Sequence, residues 1–201
     1  MNNLFAFDFD GTLTRSDTFL LFIKFSQTKG RFWRGVFVLT PILVLWKAGI
    51  ISNEKAKSQV FSWYFGGISL KQFNEWGEKF SSIIEKNLRP NAKRYLENLR
   101  ISEQRRVIVS ASIENWITPW AHSCGFESVI ATRVEVIDGN LTGKFSTPNC
   151  HGAEKVRRLA ASYPELCLNQ RTIHLIAFGD SRGDKELIDF ADEGRMNAFL
   201  V

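Results

Sequence analysis

The 201-residue sequence predicts an α/β fold, a parallel sheet flanked by helices with a helical unit inserted near its start. Three apolar runs predict the sheet: Leu4-Phe5-Ala6-Phe7, Arg106-Val107-Ile108-Val109-Ser110-Ala111-Ser112, and Thr172-Ile173-His174-Leu175-Ile176-Ala177-Phe178. Each is strand-length, and the first two stop at acidic or hydroxyl residues, as buried strands do where they meet a site. Helical patterns lie between the runs. From residue 15 to residue 89 no strand pattern occurs, only helical segments rich in Phe and Trp. The expected division is therefore a core of residues 1–14 and 90–201, with residues 15–89 inserted as a separate unit.

The first strand delivers Asp8-Phe9-Asp10-Gly11-Thr12-Leu13-Thr14. Two carboxylates two residues apart sit at its C-terminal end, where ligands bind in open α/β sheets. Aspartates in a buried strand are costly unless they are paired or hold a metal. The alternative is an N-terminal hairpin turning at Asp10-Gly11. Ser16-Asp17-Thr18 can cap a helix carrying Phe19, Leu20, Phe22, Ile23 and Phe25. The apolar run from Val36 to Trp46 follows, bracketed by Lys29, Arg31, Arg34 and Lys47.

A bilayer crossing needs roughly 20 apolar residues, so this run is too short to span one. Two readings stand: it packs against the core or a second subunit, or residues 31–47 lie in a membrane interface. In the second, the bases meet lipid phosphates and Trp33 and Trp46 sit at headgroup depth. Pro41 is expected to break the helix into a shallow hairpin. Further helices are expected over 53–64 and 70–86, and a core helix over 92–99 after the Pro90 break.

The second strand is followed by a helix over 114–123, the turn Gly125-Phe126-Glu127 and a short strand over 128–131. Residues 133–137 and 141–145 read as a hairpin around Asp138-Gly139-Asn140. A helix over 153–162, the strand at 172–178, a helix over 185–191 and a last strand over 196–201 complete the chain. The third long strand runs into Gly179-Asp180-Ser181-Arg182-Gly183-Asp184, again placing acids beyond a buried strand.

A hydrophobic fraction of 44% with 23% charged residues is ordinary for a soluble globular protein. The net charge of +5 favours anionic partners, phosphorylated metabolites and anionic lipids among them. No zinc-finger or RNP pattern appears, so no nucleic-acid partner is expected. Cys124, Cys150 and Cys167 lack metal-site spacing and read as small buried or half-buried residues of a cytosolic protein. The N-terminus has no charged region or cleavage site, so no signal peptide is expected. His174 reads as a core histidine, His122 has no evident partner, and Arg105-Arg106 and Arg157-Arg158 read as solvated pairs.

In this order, Asp8-Phe9-Asp10-Gly11-Thr12, Ser110, Lys155 and Gly179-Asp180-Ser181-Arg182-Gly183-Asp184 resemble the motifs of the haloacid dehalogenase superfamily of aspartate-nucleophile phosphatases. The long insert after the first motif resembles the subgroup that contains phosphoserine phosphatase. The resemblance implies a Rossmann-like core with a helical cap at residues 15–89. It implies Asp8 as nucleophile and Asp10 as general acid and base. Mg²⁺ would be held by Asp8, Asp180 and the Asp10 backbone carbonyl, with Asp184 in the outer shell. Ser110, Ala111, Thr12 and Lys155 would bind phosphate.

Asp10 also sets the subclass, because dehalogenases lack an acid at this position and transport ATPases carry a Lys directly after the nucleophile. Ser181 and Gly183 stand where the phosphoserine enzymes usually carry Gly and Asn. Asp17 corresponds by spacing to their substrate-binding Glu, and His151 lies close enough to touch substrate. Cys150-His151-Gly152-Ala153-Glu154-Lys155-Val156 resembles the branch containing bacterial phosphatidylglycerophosphate phosphatase.

The expected activity is hydrolysis of a small phosphate monoester in the cytoplasm. A lipid phosphatase at the inner membrane face and a non-catalytic phosphate-binding or regulatory protein are the alternatives. A homodimer is compatible with either.

Overall fold

A computed structural model describes residues 2–168 and 172–200. The chain runs β1 (Asn2–Phe7), α1 (Thr18–Ser26), α2 (Lys29–Lys47), α3 (Asn53–Phe65), α4 (Leu70–Asn87), α5 (Pro90–Ile101), β2 (Arg105–Ile113) and α6 (Glu114–Ser123). It continues through β3 (Ser128–Thr132), β4 (Val134–Ile137), β5 (Asn140–Phe145), α7 (Ala153–Ser162), β6 (Ile173–Gly179), α8 (Lys185–Phe190) and β7 (Glu193–Met196). The main sheet is parallel in the order β3-β2-β1-β6-β7. The order reverses at β1, and such a switch point opens a crevice beyond the carboxyl ends of the strands.

Strand alternation builds two cores. Phe5, Phe7, Ile108, Ile176 and Phe178 face one side of the sheet, with α5 and α6. Leu4, Ala6, Val107, Val109, Leu175 and Ala177 face the other, with α7 and α8. Each face buries a continuous apolar layer, the condition for a parallel sheet covered on both sides.

The first core continues without a gap into the inserted helices. Phe22 of α1 stacks on Trp116 of α6 at 4.5 Å between centroids and meets Phe80 of α4 edge-on at 5.1 Å. Phe61, Phe65 and Phe73 close the cluster. Each fully buried Phe stabilises the joint by about 1.5–3 kcal/mol. The hairpin of β4 and β5 turns at Asp138 (φ 50°) and Gly139 (φ 76°), the pair of positive φ values that a tight two-residue hairpin needs. Its β5 strand packs against α3.

Several expectations are corrected. Pro41 lies inside an unbroken α2. The helical bond lost at Pro41 is the one to the Phe37 carbonyl, on a face open to water, so the helix continues. The last strand lies at Glu193–Met196, earlier than 196–201. Asn197 turns the chain with φ 56° and Phe199 tucks under Phe178, so Phe199 plugs the core while Leu200 stays exposed; Val201 lies outside the described residues. His174 is half-buried and hydrogen-bonds Glu193 through Nε2 at 3.1 Å. Cys167 is exposed.

Arg106 is buried, donating from Nε to the Gly125 carbonyl beneath Phe126. Arg158 donates to the Ala131 and Pro148 carbonyls and pairs with Glu154, tying α7 to the end of β3. Long aliphatic stems let both arginines line apolar surface while their heads find carbonyls, which charge pairs in a sequence do not reveal.

Candidate active site

The carboxyl ends of β1, β2 and β6 meet because their registers pair Phe7 with both Ile108 and Phe178. The Asp8 N–H still donates to the Phe178 carbonyl at 2.9 Å, so its side chain emerges at the last rung of the sheet. Lys155, in the first turn of α7, reaches Asp8 Oδ1 and Asp184 Oδ1, both at 2.6 Å. Only 1% of Lys155 is exposed, so this is no solvated helix lysine. Thr12 donates to Asp8 Oδ2 at 3.0 Å and lies 3.2 Å from Asp180 Oδ1, bridging the two motifs.

Asp184 is held on every side. Its Oδ2 accepts from the backbone N–H groups of Asp180 and Ser181 and from the Ser181 hydroxyl, at 3.2, 3.0 and 2.9 Å. With Oδ1 committed to Lys155, both its oxygens are occupied by protein donors, which suits an orienting carboxylate better than a direct metal ligand. Asp180 is half-buried and freer. Oxygens of Asp8, Asp180 and Asp184 lie within 4.8 Å of one another, a hard, anionic donor set that fits a divalent cation such as Mg²⁺.

Gly11 permits this approach. It has φ +85°, and a Cβ there would lie 2.3 Å from Asp180 Oδ2. Gly183, where the phosphoserine enzymes usually carry Asn, is filled from outside: a Cβ would meet the His151 ring at 2.2 Å. The imidazole therefore occupies the space that a side chain at 183 would need, and His151 lines the cavity above the site.

Asp10 is served by Ser112 rather than by Ser110. The Ser112 hydroxyl donates to Asp10 Oδ2 at 2.5 Å and the Thr18 N–H to Oδ1 at 2.7 Å. Ser110 is buried, and its hydroxyl accepts from the Ser112 N–H at 3.0 Å, which shapes the end of β2. Ser110, Ala111 and Ser112 all border the cavity. Asp17 caps α1, accepting from Phe19 and Leu20, and borders the cavity too.

Lys57 of α3 carries no signal in the sequence, where it is one lysine among polar neighbours on a helix. Its Nζ donates to the Ala111 carbonyl at 2.5 Å inside the same cavity, and burial holds its pKa below the usual lysine value. Only the fold shows that it points inward.

The cavity has a volume of about 390 Å³. Its floor is Asp8, Asp10, Lys155 and Asp184, and its walls are mostly apolar, from Phe19, Ile23, Val36, Leu39, Leu43 and Val60.

Burial pushes the Asp8 carboxyl up to about 7, with Lys155 pulling it back. Burial, followed by the nearby Asp17, pushes Asp10 up to about 6, against the pull of Ser112 and Thr18. Asp8 and Asp184 hold Lys155 charged against desolvation. Lys155 and Ser181 in turn hold Asp184 below the ordinary carboxylate value, against burial.

Raised carboxyls bind protons more tightly folded than unfolded, so Asp8 and Asp10 cost stability once pH rises above the unfolded value of about 3.8. Asp184 has the opposite sign, but its contribution is lost only as pH falls below that value. Lys155 contributes throughout the window. Chelator-treated protein is therefore expected to melt at a higher temperature at about pH 5 than at about pH 7.5, and a scanning melt in matched buffers checks the sign.

A family model described as haloacid dehalogenase-like hydrolase matches residues 5–189. Protein CicA of Caulobacter vibrioides (strain NA1000 / CB15N) is 33% identical over 193 residues, covering 94% of this chain and 83% of its own. Among solved structures, a protein of unknown function from Bordetella pertussis Tohama I matches with a TM-score of 0.80 at 20% identity, over 98% of this chain and 89% of that one. A phosphoserine phosphatase in the form of a phospho-aspartyl intermediate analogue matches with a TM-score of 0.64 at 17% identity, over 97% and 85% of the two chains. The structural matches show a shared fold.

Proposed function

The chain belongs to the haloacid dehalogenase-like hydrolases, and we propose that it is a Mg²⁺-dependent phosphatase that hydrolyses a phosphate monoester through an aspartyl-phosphate. The observation that carries the proposal is the buried chain of contacts Asp184–Lys155–Asp8–Thr12–Asp180 beneath a cavity that also reaches Asp10.

Asp8 attacks phosphorus, forming the carboxylate–phosphorus bond as the ester P–O bond breaks. Asp10, raised to about 6, gives its proton to the leaving oxygen. It then takes a proton from the water that attacks the same phosphorus, which frees Asp8 and releases phosphate. Lys155 offsets charge beside Asp8, and Ser110, the Ala111 backbone and Thr12 hold the phosphoryl oxygens. Asp8, Asp180 and the Asp10 carbonyl would hold Mg²⁺, with Asp184 orienting the site from the outer shell. Bound there, the cation neutralises charge on the phosphoryl oxygens. Residues 15–89 act as a cap that admits substrate and excludes bulk water.

The leading substrate class is a small phosphorylated metabolite. A lipid phosphate such as phosphatidylglycerophosphate is the second reading, favoured by the apolar wall above the phosphate floor. A pure phosphate binder has no use for a proton-transferring acid at Asp10.

Para-nitrophenyl phosphate turnover with Mg²⁺, lost on chelation and restored by Mg²⁺, is the expected result; no turnover under any metal condition would leave the binder reading standing. Asp10→Asn is expected to lose about 10²–10⁴-fold on an alkyl phosphate. The loss on nitrophenyl phosphate should be smaller, because its leaving group needs no proton. Steady-state rates on the two esters check the difference.

A further inference from the structure

We propose that α2 is a peripheral docking element that seats this protein on an anionic lipid bilayer. The helix presents two adjoining apolar flanks. Phe32, Val36, Leu39 and Leu43, at spacings of three and four, line the cavity. Trp33, Phe37 and Val44, at i, i+4 and i+11, point outward and are 66%, 83% and 59% exposed. Val38, elsewhere on the helix, and Ile50, just past its end, are exposed as well. Side chains of this size on one outward face are unusual for a soluble surface and mark an interaction site. Among the described residues no helix is long and apolar enough to cross a membrane, so the contact is with a surface.

Charge selects the occupant. From Thr18 to Asn53 the chain carries Lys24, Lys29, Arg31, Arg34 and Lys47 and no Asp or Glu. Lys29 lies in the first turn of α2 and Arg34 just beyond, with no acid in that turn, where the helix dipole favours acids; Arg31, in the same turn, donates to the Tyr64 carbonyl at 3.0 Å and is turned toward α3. An external layer of negative charge relieves that conflict. A second copy would not, because a two-fold interface sets each patch against itself and brings its bases together. An apolar face with Trp and Phe, ringed by bases, matches the headgroup–acyl boundary of an anionic bilayer. The cavity flank lies on the same helix, so docking brings the mouth of the site close to the lipid surface.

The proposal stands apart from the hydrolytic reading, because binding is measured without turnover. The full chain is sedimented with vesicles of phosphatidylglycerol and phosphatidylcholine, and with phosphatidylcholine alone, at low and high salt. The expected result is pelleting with anionic vesicles, weakened by salt, and little with neutral ones. Phe37→Glu with Val44→Glu should weaken pelleting at least about tenfold while leaving nitrophenyl phosphate turnover unchanged. Lys29→Glu with Arg34→Glu should weaken pelleting without touching the apolar face. No pelleting of the unaltered chain, or pelleting indifferent to both pairs, overturns the proposal. So does a dimer by light scattering that Phe37→Glu with Val44→Glu dissociates, because the face would then belong to a second copy.

Discussion

Replacing Asp8 by Asn will reduce turnover of any phosphate ester by more than about 10⁴-fold, the scale seen when one member of an interdependent catalytic set is removed. The amide is nearly isosteric, so the fold is expected to survive. It cannot form the acyl-phosphate bond, and Lys155 loses half of its charge compensation. Stability should change little or improve in chelated protein near neutral pH, because Asp8 is a carboxyl that burial has already pushed up to about 7. Lost activity with an unchanged or higher melting temperature is the joint signature. Single-turnover rates and a thermal melt on the same preparation read both halves. An inactive and unfolded variant would report on packing alone.

Lys155→Met is expected to hurt both properties. Removing a positioned cation from beside the developing charge costs about 10²–10³-fold in turnover. Removing one partner of a buried ion pair costs about 3–5 kcal/mol, because Asp8 and Asp184 remain in the interior without their cation. The sign with pH follows. The two orphaned carboxyls take up protons more readily than those of the parent, so the gap in melting temperature should narrow as pH falls from neutral toward about 4. A constant gap across that range would mean that the lysine contributes packing rather than charge.

The strand ends are legible in the sequence because an acid directly after a strand-length apolar run has few uses besides a metal or a reactive site. Asp8 and Asp180 stand out that way, and Asp184 follows four residues on in the same loop. Lys155 does not stand out from its surroundings, since Glu154 to Arg158 looks like a solvated helix start; only the motif order singles it out. Ser110 and Ser112 are not separable in the sequence. Both lie at the end of β2, but the hydroxyl facing Asp10 is decided where the pairing of β2 with β3 slips its register after Ser110. Lys57 stays hidden because a helix pattern gives a face and not the depth of the neighbour that the face meets.

The last strand is displaced for a related reason. The apolar residues at 198–200 satisfy strand and plug alike, and Asn197 in a left-handed turn decides for the plug. Pro41 misleads because its cost depends on whether the freed carbonyl is wet, a property of the fold and not of the residue.

In the proposed mechanism Asp8 itself becomes phosphorylated. The direct measurement is acid-quenched rapid mixing of enzyme, Mg²⁺ and substrate, followed by peptide mass spectrometry. A phosphoryl group on the peptide carrying Asp8, formed and lost at rates compatible with turnover and missing in Asp8→Asn, is the predicted result. Full turnover with that peptide never modified, or a phosphoryl group trapped on another residue, would contradict it.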